Sequence, residues 1–243
     1  MLRETKTRFG RLKLGYAWAL LEPIMQVAIF VAMFELMGRD TASGMPVILF
    51  LITGITPFLA FRNVLQRTTA AVTANKPLLS FPQVTLFDLA FARIWLEAAT
   101  MTIVFILLLF LSQYFGQEII IEDVLGVCIA FALLLVTGTG LGMTFCALTP
   151  HLPSISNIIN PFLGRPLFFT SGLFFTVDML PPTVREILLY NPILHMIEYL
   201  RSSFFTQFES AHYDLGYASA WALGAFTLGF AAMRANRTRL VNA

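Results

Sequence analysis

Charge is scarce in this chain. Asp, Glu, Lys and Arg make up 12% of its 243 residues, against 57% hydrophobic residues, about half the charge a water-facing domain carries. That balance excludes a soluble globular protein and suits a chain whose solvent is lipid. No long polar stretch exists either: the segments at about 62–85 and 178–213 are too short and too apolar to fold alone, so the chain reads as one polytopic domain, 1–243. Cysteine is nearly missing. Cys128 and Cys146 stand on one helical face about 27 Å apart, which rules out pairing with each other and leaves them as small buried packing residues. The three histidines, His151, His195 and His212, have no Cys, His or Asp partner at zinc spacing, so no metal site is expected. There is no G-x-S-x-G elbow. Gly10-Arg-Leu-Lys-Leu-Gly15 has the glycine spacing of a phosphate loop, but Tyr16 stands where lysine is required and no strand precedes it. The first 22 residues lack the short apolar core and small-residue cleavage site of a secretory signal, and read as part of the mature protein. No nucleic-acid partner is expected.

What is present is long apolar stretches, near 18–37, 46–61, 86–112, 124–148, 157–177 and 214–233, most of them close to the roughly 20 residues that about 30 Å of hydrocarbon demands. Six crossings put both termini on one side. If that side is cytoplasmic, the inner segments hold Arg3, Lys6, Arg8, Arg11, Lys13, Arg62, Arg67, Lys76, Arg234, Arg237 and Arg239, and the outer loops only Arg39, Arg185 and Arg201. The positive-inside bias therefore favours two cytoplasmic ends. Asp40, Glu118, Glu122, Asp123, Asp178, Glu186, Glu198, Glu209 and Asp214 all fall outside, so the small net charge of +2 conceals a polarised molecule.

Along the chain, residues 1–21 form a basic, partly apolar lead-in suited to an anionic headgroup layer, an interfacial helix or else a solvated basic tail. Thr53-Gly-Ile-Thr-Pro57 predicts a kink rather than a break in the second span. In 62–85, basic and apolar residues interleave, and Pro77 and Pro82 end any helix begun at Asn63. A short amphipathic rod results, either docked to a cytoplasmic partner or simply interfacial. Arg93 and Glu97 sit at i, i+4 in the third span, spaced for an ion pair on a transport path, although Arg93 is near enough to the cytoplasmic end to snorkel. Gly138-Thr-Gly-Leu-Gly142 permits close helix approach. Asn160-Pro161 and Arg165-Pro166 mark a fifth span that lines protein or water rather than lipid. Two short helical patterns, 182–190 and 192–206, follow. Ile193, Ile197, Leu200 and Phe204 form an apolar stripe on the second, and His195, Glu198, Arg201 and Ser202 a polar one. The pair reads as a re-entrant element, or alternatively as a hairpin resting on the outer surface. The fold class is thus an all-α polytopic membrane protein.

Arg3-Glu4-x-Lys6-Thr7-Arg8-Phe9-Gly10, Leu14-Gly15-Tyr16-x-Trp18-Ala19 and Glu22-Pro23 resemble the opening of polysaccharide-export permeases of the ABC transporter class. Ala74-Asn75-Lys76-x-Leu78-Leu79 resembles the same family. Arg165-Pro166-Leu167-Phe168, Ser171-Gly172-Leu173-Phe174-Phe175, Leu180-Pro181 and Asn191-Pro192-x-x-His195-x-x-Glu198-x-x-Arg201 are similar to its capsular-polysaccharide branch. The resemblance covers essentially the whole chain. It implies a homodimer of six spans per chain in a Gram-negative inner membrane, two separate nucleotide-binding ATPase subunits, a periplasmic adaptor and an outer-membrane channel. The implied substrate is a lipid-linked capsular polysaccharide. ATP and Mg belong to the partner subunit in that scheme, and no cofactor is expected on this chain, which is a transport subunit and not an enzyme.

Within that scheme helices one and five of each protomer enclose a wet corridor, because hydrocarbon rejects isolated polar groups at several kcal/mol each. Tyr16 and Trp18 are placed at its cytoplasmic mouth, Arg93 and Glu97 along it, and Arg165, His195, Glu198 and Arg201 at a polar gate. Asn75, Lys76 and His151 receive the ATPase's motion. A secondary transporter would require midplane carboxylates and usually a helical repeat, and neither is clear. A membrane-embedded lipid-modifying enzyme would require a nucleophile or metal set. Exporters of O-antigen, teichoic acid or drugs are the nearer alternatives.

Overall fold

A computed structural model describes residues 15–38, 44–81, 83–152, 154–155 and 159–242. Among them there are ten α-helices and no strand. In chain order these are α1 (Gly15–Leu36), α2 (Val47–Thr69), α3 (Ala71–Asn75), α4 (Leu86–Tyr114), α5 (Val124–Leu148), α6 (Arg165–Thr170), α7 (Pro182–Leu188), α8 (Pro192–Phe204), α9 (Leu215–Ala235) and α10 (Arg237–Asn242). Four are long and apolar enough to cross a membrane: α2, α4, α5 and α9. α1 has comparable length at 22 residues. The predicted interfacial lead-in lies outside the described residues as far as position 14. From Gly15 onward it is the first turns of α1 instead, because no proline or polar cap interrupts the run before Pro23.

The bundle is organised around α2 and α5. Residues 49–61 of α2 are all buried, as befits a run with no charge until Arg62. The helix carries Pro57 without a break and continues to Thr69, so the second helix does not stop near 61 and no new one starts at Asn63. α3 and the 3-10 turn Lys76–Ser80 follow it as the short rod. α5 packs most extensively on α9 and next on α2. Glycine makes the first of these contacts possible: a Cβ on Gly229 of α9 would run into the carbonyl of Gly140, and one on Gly140 into the backbone of Ala225 and Phe226. Backbones this close gain dispersion contacts that lipid does not compete for. α4 opens with a capping box, Thr85 accepting from the Asp88 amide while Asp88 accepts from the Thr85 amide at 2.8 Å.

Two apolar clusters divide the interior. The larger joins α1, α2, α4, α5 and α8. The smaller gathers Val72, Leu86, Met143, Cys146, Met233 and Leu240, tying α3, α4, α5, α9 and α10 together at the end from which α1 begins. Cys146 is buried as the packing argument requires, but Cys128 is exposed on the outer face of α5, where its turn of helix faces away from α2 and α9.

The fifth apolar stretch departs most from expectation. Its described helical residues are Ile155 and the run from Ile159 through a π-type turn Asn160–Gly164 to the end of α6 at Thr170. Residues 171–176 are non-helical. Gly172, at φ +76°, turns the chain in a region L side chains avoid. Phe168 pins the short helix, packing edge-on against Phe58 of α2 at 5.6 Å and near Phe30 of α1 at 5.8 Å.

If the α5–α9 contact is the tight one, Gly229→Ala should lower the melting temperature of the detergent-purified chain by several degrees. Gly224→Ala, where a Cβ meets nothing within 4 Å, should leave it unchanged or raise it slightly. Equal melting of both variants would remove the contact from this role.

Candidate functional site: a buried arginine latch

The turn after α6 is held by α8. Asn191 caps α8 through its carbonyl oxygen, which accepts from the Ile193 amide at 3.0 Å. Its amide nitrogen reaches back to the Ser171 hydroxyl at 2.9 Å and to Thr170 at 3.4 Å. One turn on, His195 joins three segments. Its Nδ1 accepts from the Asp214 amide at 2.9 Å, so Nε2 carries the proton and donates to the Leu189 carbonyl at 2.7 Å. Both ring nitrogens are thus satisfied by backbone in the neutral form.

Glu198 and Arg201 are both 0% exposed. Glu198 Oε1 accepts from the Val177 amide at 2.7 Å. Arg201 donates to four carbonyls: from Nη1 to Gly172 and, at 3.1 Å, to Phe175; from Nη2 to Leu173 at 2.9 Å and to Phe50 of α2 at 3.3 Å. Its guanidinium carbon also stands 3.8 Å from the Phe50 ring centroid, a cation–π contact. The carbonyls of 172, 173 and 175 would otherwise need helical amides, so one guanidinium replaces the missing turns and permits α6 to stop early. Gly54 makes room: a Cβ there would crowd the guanidinium and stand 3.0 Å from the Leu173 carbonyl oxygen. α8 lies outside the membrane-length helices. Burial pushes the Glu198 carboxyl above its ordinary range, with Arg201, the Val177 amide and the Ser210 hydroxyl pulling it back. Burial likewise lowers Arg201 to about 10, against the attraction of Glu198.

Of the four residues expected at a polar gate, three are therefore brought together, and all three face backbone rather than an open path. Arg165 is exposed at the start of α6, apart from the buried cluster. α8 is buried on its apolar and polar faces alike against α5, α2 and α9, so it is an internal helix and does not rest on the surface as a hairpin. Tyr16 and Trp18 lie in the first turns of α1.

Glu97 is buried in α4 and meets Arg67 of α2 at 3.9 Å, a cross-helix cation that spacing along one helix could not disclose. Asn75 ties back to the Ala71 carbonyl at 3.1 Å, and Lys76 is exposed beside it. His151 lies at the same end of the bundle as the small cluster, 3.4 Å from Asn236 Oδ1 and 3.1 Å from Arg239 Nη1. On the other end, Arg185 donates to His212 at 3.1 Å, and His212 stands 3.2 Å from Asp178. Among the described residues no cluster of His, Cys, Asp or Glu could hold a metal ion. Gly54 and Asn191 were not singled out as site residues by sequence reasoning. The signal for Asn191 was its place before Pro192, a capping residue followed by proline at the first helical position.

A polytopic helical chain with a short helix pair latched before its last span is a membrane transport subunit in form. The chain belongs to the ABC-2 type transporter family, whose model matches residues 1–205. It is similar to the polysialic acid transport protein KpsM of Escherichia coli, 30% identical over 233 residues that cover 96% of this chain and 90% of that protein. It is also similar to the capsule polysaccharide export inner-membrane protein BexB of Haemophilus influenzae, 29% identical over 94% of this chain and 86% of the relative. The protein of the same description from Neisseria meningitidis, CtrC, is 28% identical over 88% and 82%.

Removing one side of a buried charged network costs about 3–5 kcal/mol. Arg201→Lys, which cannot reach four carbonyls, should therefore unfold the chain at markedly lower temperature. Gly54→Ala should move in the same direction, and Glu198→Gln, which retains an acceptor for the Val177 amide, should cost less than Glu198→Ala. Thermal melts of the four variants in one detergent check the order; a lysine variant as stable as the parent would contradict the latch.

Proposed function

We propose that this chain is the membrane-spanning permease subunit of an ATP-driven exporter that moves lipid-linked capsular polysaccharide from cytoplasm to periplasm. The observation that carries the reading is similarity along nearly the whole chain to three proteins named for polysialic acid or capsule polysaccharide transport. The names of the two capsule polysaccharide relatives also support the location, a bacterial inner membrane. In this reading the chain crosses six times with both ends cytoplasmic, works as a homodimer, and draws its motion from two separate ATPase subunits that hold ATP and Mg. A periplasmic adaptor and an outer-membrane channel continue the path.

The physical problem is a long polar polymer crossing a layer that penalises each unpaired polar group. α1 leaves Leu21, Met25, Ile29 and Met33 exposed at four-residue intervals along one face, a stripe suited to a second copy or to lipid. Between two copies α1 and the fifth stretch would bound the corridor, with Tyr16 and Trp18 at its mouth and Arg93 and Arg165 along it, while Glu97, buried against Arg67, stands behind the lining. His195, Glu198 and Arg201 act here as the anchor of a gate rather than its lining: they fix the 171–177 turn, so that a push on α6 moves turn and α8 together. Asn75, Lys76 and His151 receive that push from the ATPase, and α2 and α5 are the stiff elements that carry it outward.

Deleting the gene in its own bacterium should abolish surface capsule and leave lipid-linked polymer inside the cell, and a plasmid copy should restore both. Co-purification with a nucleotide-binding subunit, and ATPase activity stimulated by lipid-linked glycan, should accompany this. Intact capsule with loss of O-antigen would instead assign a different glycan, and transport by the purified chain on an ion gradient alone would overturn the scheme.

A further inference from the structure

We propose that the end of the bundle opposite the start of α1 carries a docking notch for a protein partner whose contacting segment places one large apolar side chain beside lysine or arginine. The inference rests on the orientation proposed above, which puts this end in the periplasm. Three segments converge there: Gly44, Pro46 and Leu49 at the start of α2, Glu118 and Ile120 in the α4–α5 connection, and Phe204 to Gln207 at the end of α8. Together they line a groove of about 220 Å³. The connection is fastened to α8, the Asp123 amide donating to the Ser203 carbonyl at 2.8 Å, so the groove is built by fixed elements.

Its floor is apolar and its rim is acidic. Leu49, Phe204 and Phe205 are buried beneath, while Glu118 and Gln207 are exposed above. Glu122, Asp123 and Glu209 follow within a few residues, all exposed, and residues 44–49, 115–123 and 204–210 contain no lysine or arginine. The volume falls below the roughly 300–1,000 Å³ of small-molecule sites, but it accepts one anchor side chain of the kind that dominates protein interfaces. The acidic rim selects a cationic neighbour for that anchor. It disfavours an acidic glycan or an anionic headgroup as the occupant.

The test uses the whole complex in its native membrane, with a photocrosslinking residue introduced at Thr206, exposed on the rim, and a control at Ile187, exposed on α7. Position 206, and not 187, should label one outer-side protein through a peptide holding Phe or Leu next to Lys or Arg. Glu118→Lys with Glu122→Lys should reduce that yield several-fold, and replacing the partner's basic residues by glutamate should restore it. Label on residues 39–43 of the same chain, on a second copy, on glycan, or nowhere would overturn the inference, as would a yield indifferent to charge reversal. Its failure is distinct from that of the exporter reading: a chain that restores no capsule yet gives the charge-rescued crosslink leaves the notch standing, and one that restores capsule without the crosslink removes the notch alone.

Discussion

A single guanidinium, Arg201, decides where the fifth apolar stretch stops being a helix. Three of the carbonyls it binds belong to the turn after α6 and the fourth to α2, so one side chain both replaces lost helical hydrogen bonds and staples the turn to the central helix. Inside a dry bundle an unmatched carbonyl costs more than in water, which is why a charge worth excluding from an apolar core is retained here. Glu198 supplies the complement, keeping net charge in the interior small while it binds the one amide of the turn at Val177.

The rest of the bundle serves to place that latch. α2 offers it the Phe50 carbonyl and the space at Gly54, and α5, drawn close to α9 by glycine, backs α8 from the other side. His195 and Asn191 extend the same logic to the ends of the short helix pair: His195 binds backbone through both ring nitrogens, and Asn191 joins the Ile193 amide to Ser171 and Thr170. The consequence is a set of polar side chains bound within the fold rather than turned to an open path. In the exporter proposed above, such packing would let motion delivered at the α3 and His151 end arrive undiminished, since packed helices shift as bodies and do not deform continuously.

Much of this was legible beforehand. Hydropathy over 20-residue windows located α1, α2, α4, α5 and α9, because a bilayer imposes its thickness on any sequence that crosses it. Charge segregation marked two unlike faces. The spacing of His195, Glu198, Arg201 and Ser202 flagged a polar side on a segment otherwise fit for burial. The same windowed reading passed over the turn at 171–176: it registers apolar residues, and that turn is as apolar as the helix before it. It stopped α2 at Arg62 because a charge ended the apolar run, although the helix keeps its backbone bonds through the half-buried Arg62 and the exposed Arg67.

What the sequence by itself determined is the medium, the helical class and the family, each a property of composition or of motifs in order along the chain. Only the tertiary structure decided what the polar residues touch. Glu97 meets Arg67 thirty positions away, and Arg201 reaches Phe50 across 151. Side-chain spacing predicts neighbours within one helix, where geometry is set by the 3.6-residue repeat. It is silent on partners in another helix, because their register depends on how the glycine and aromatic surfaces between them fit.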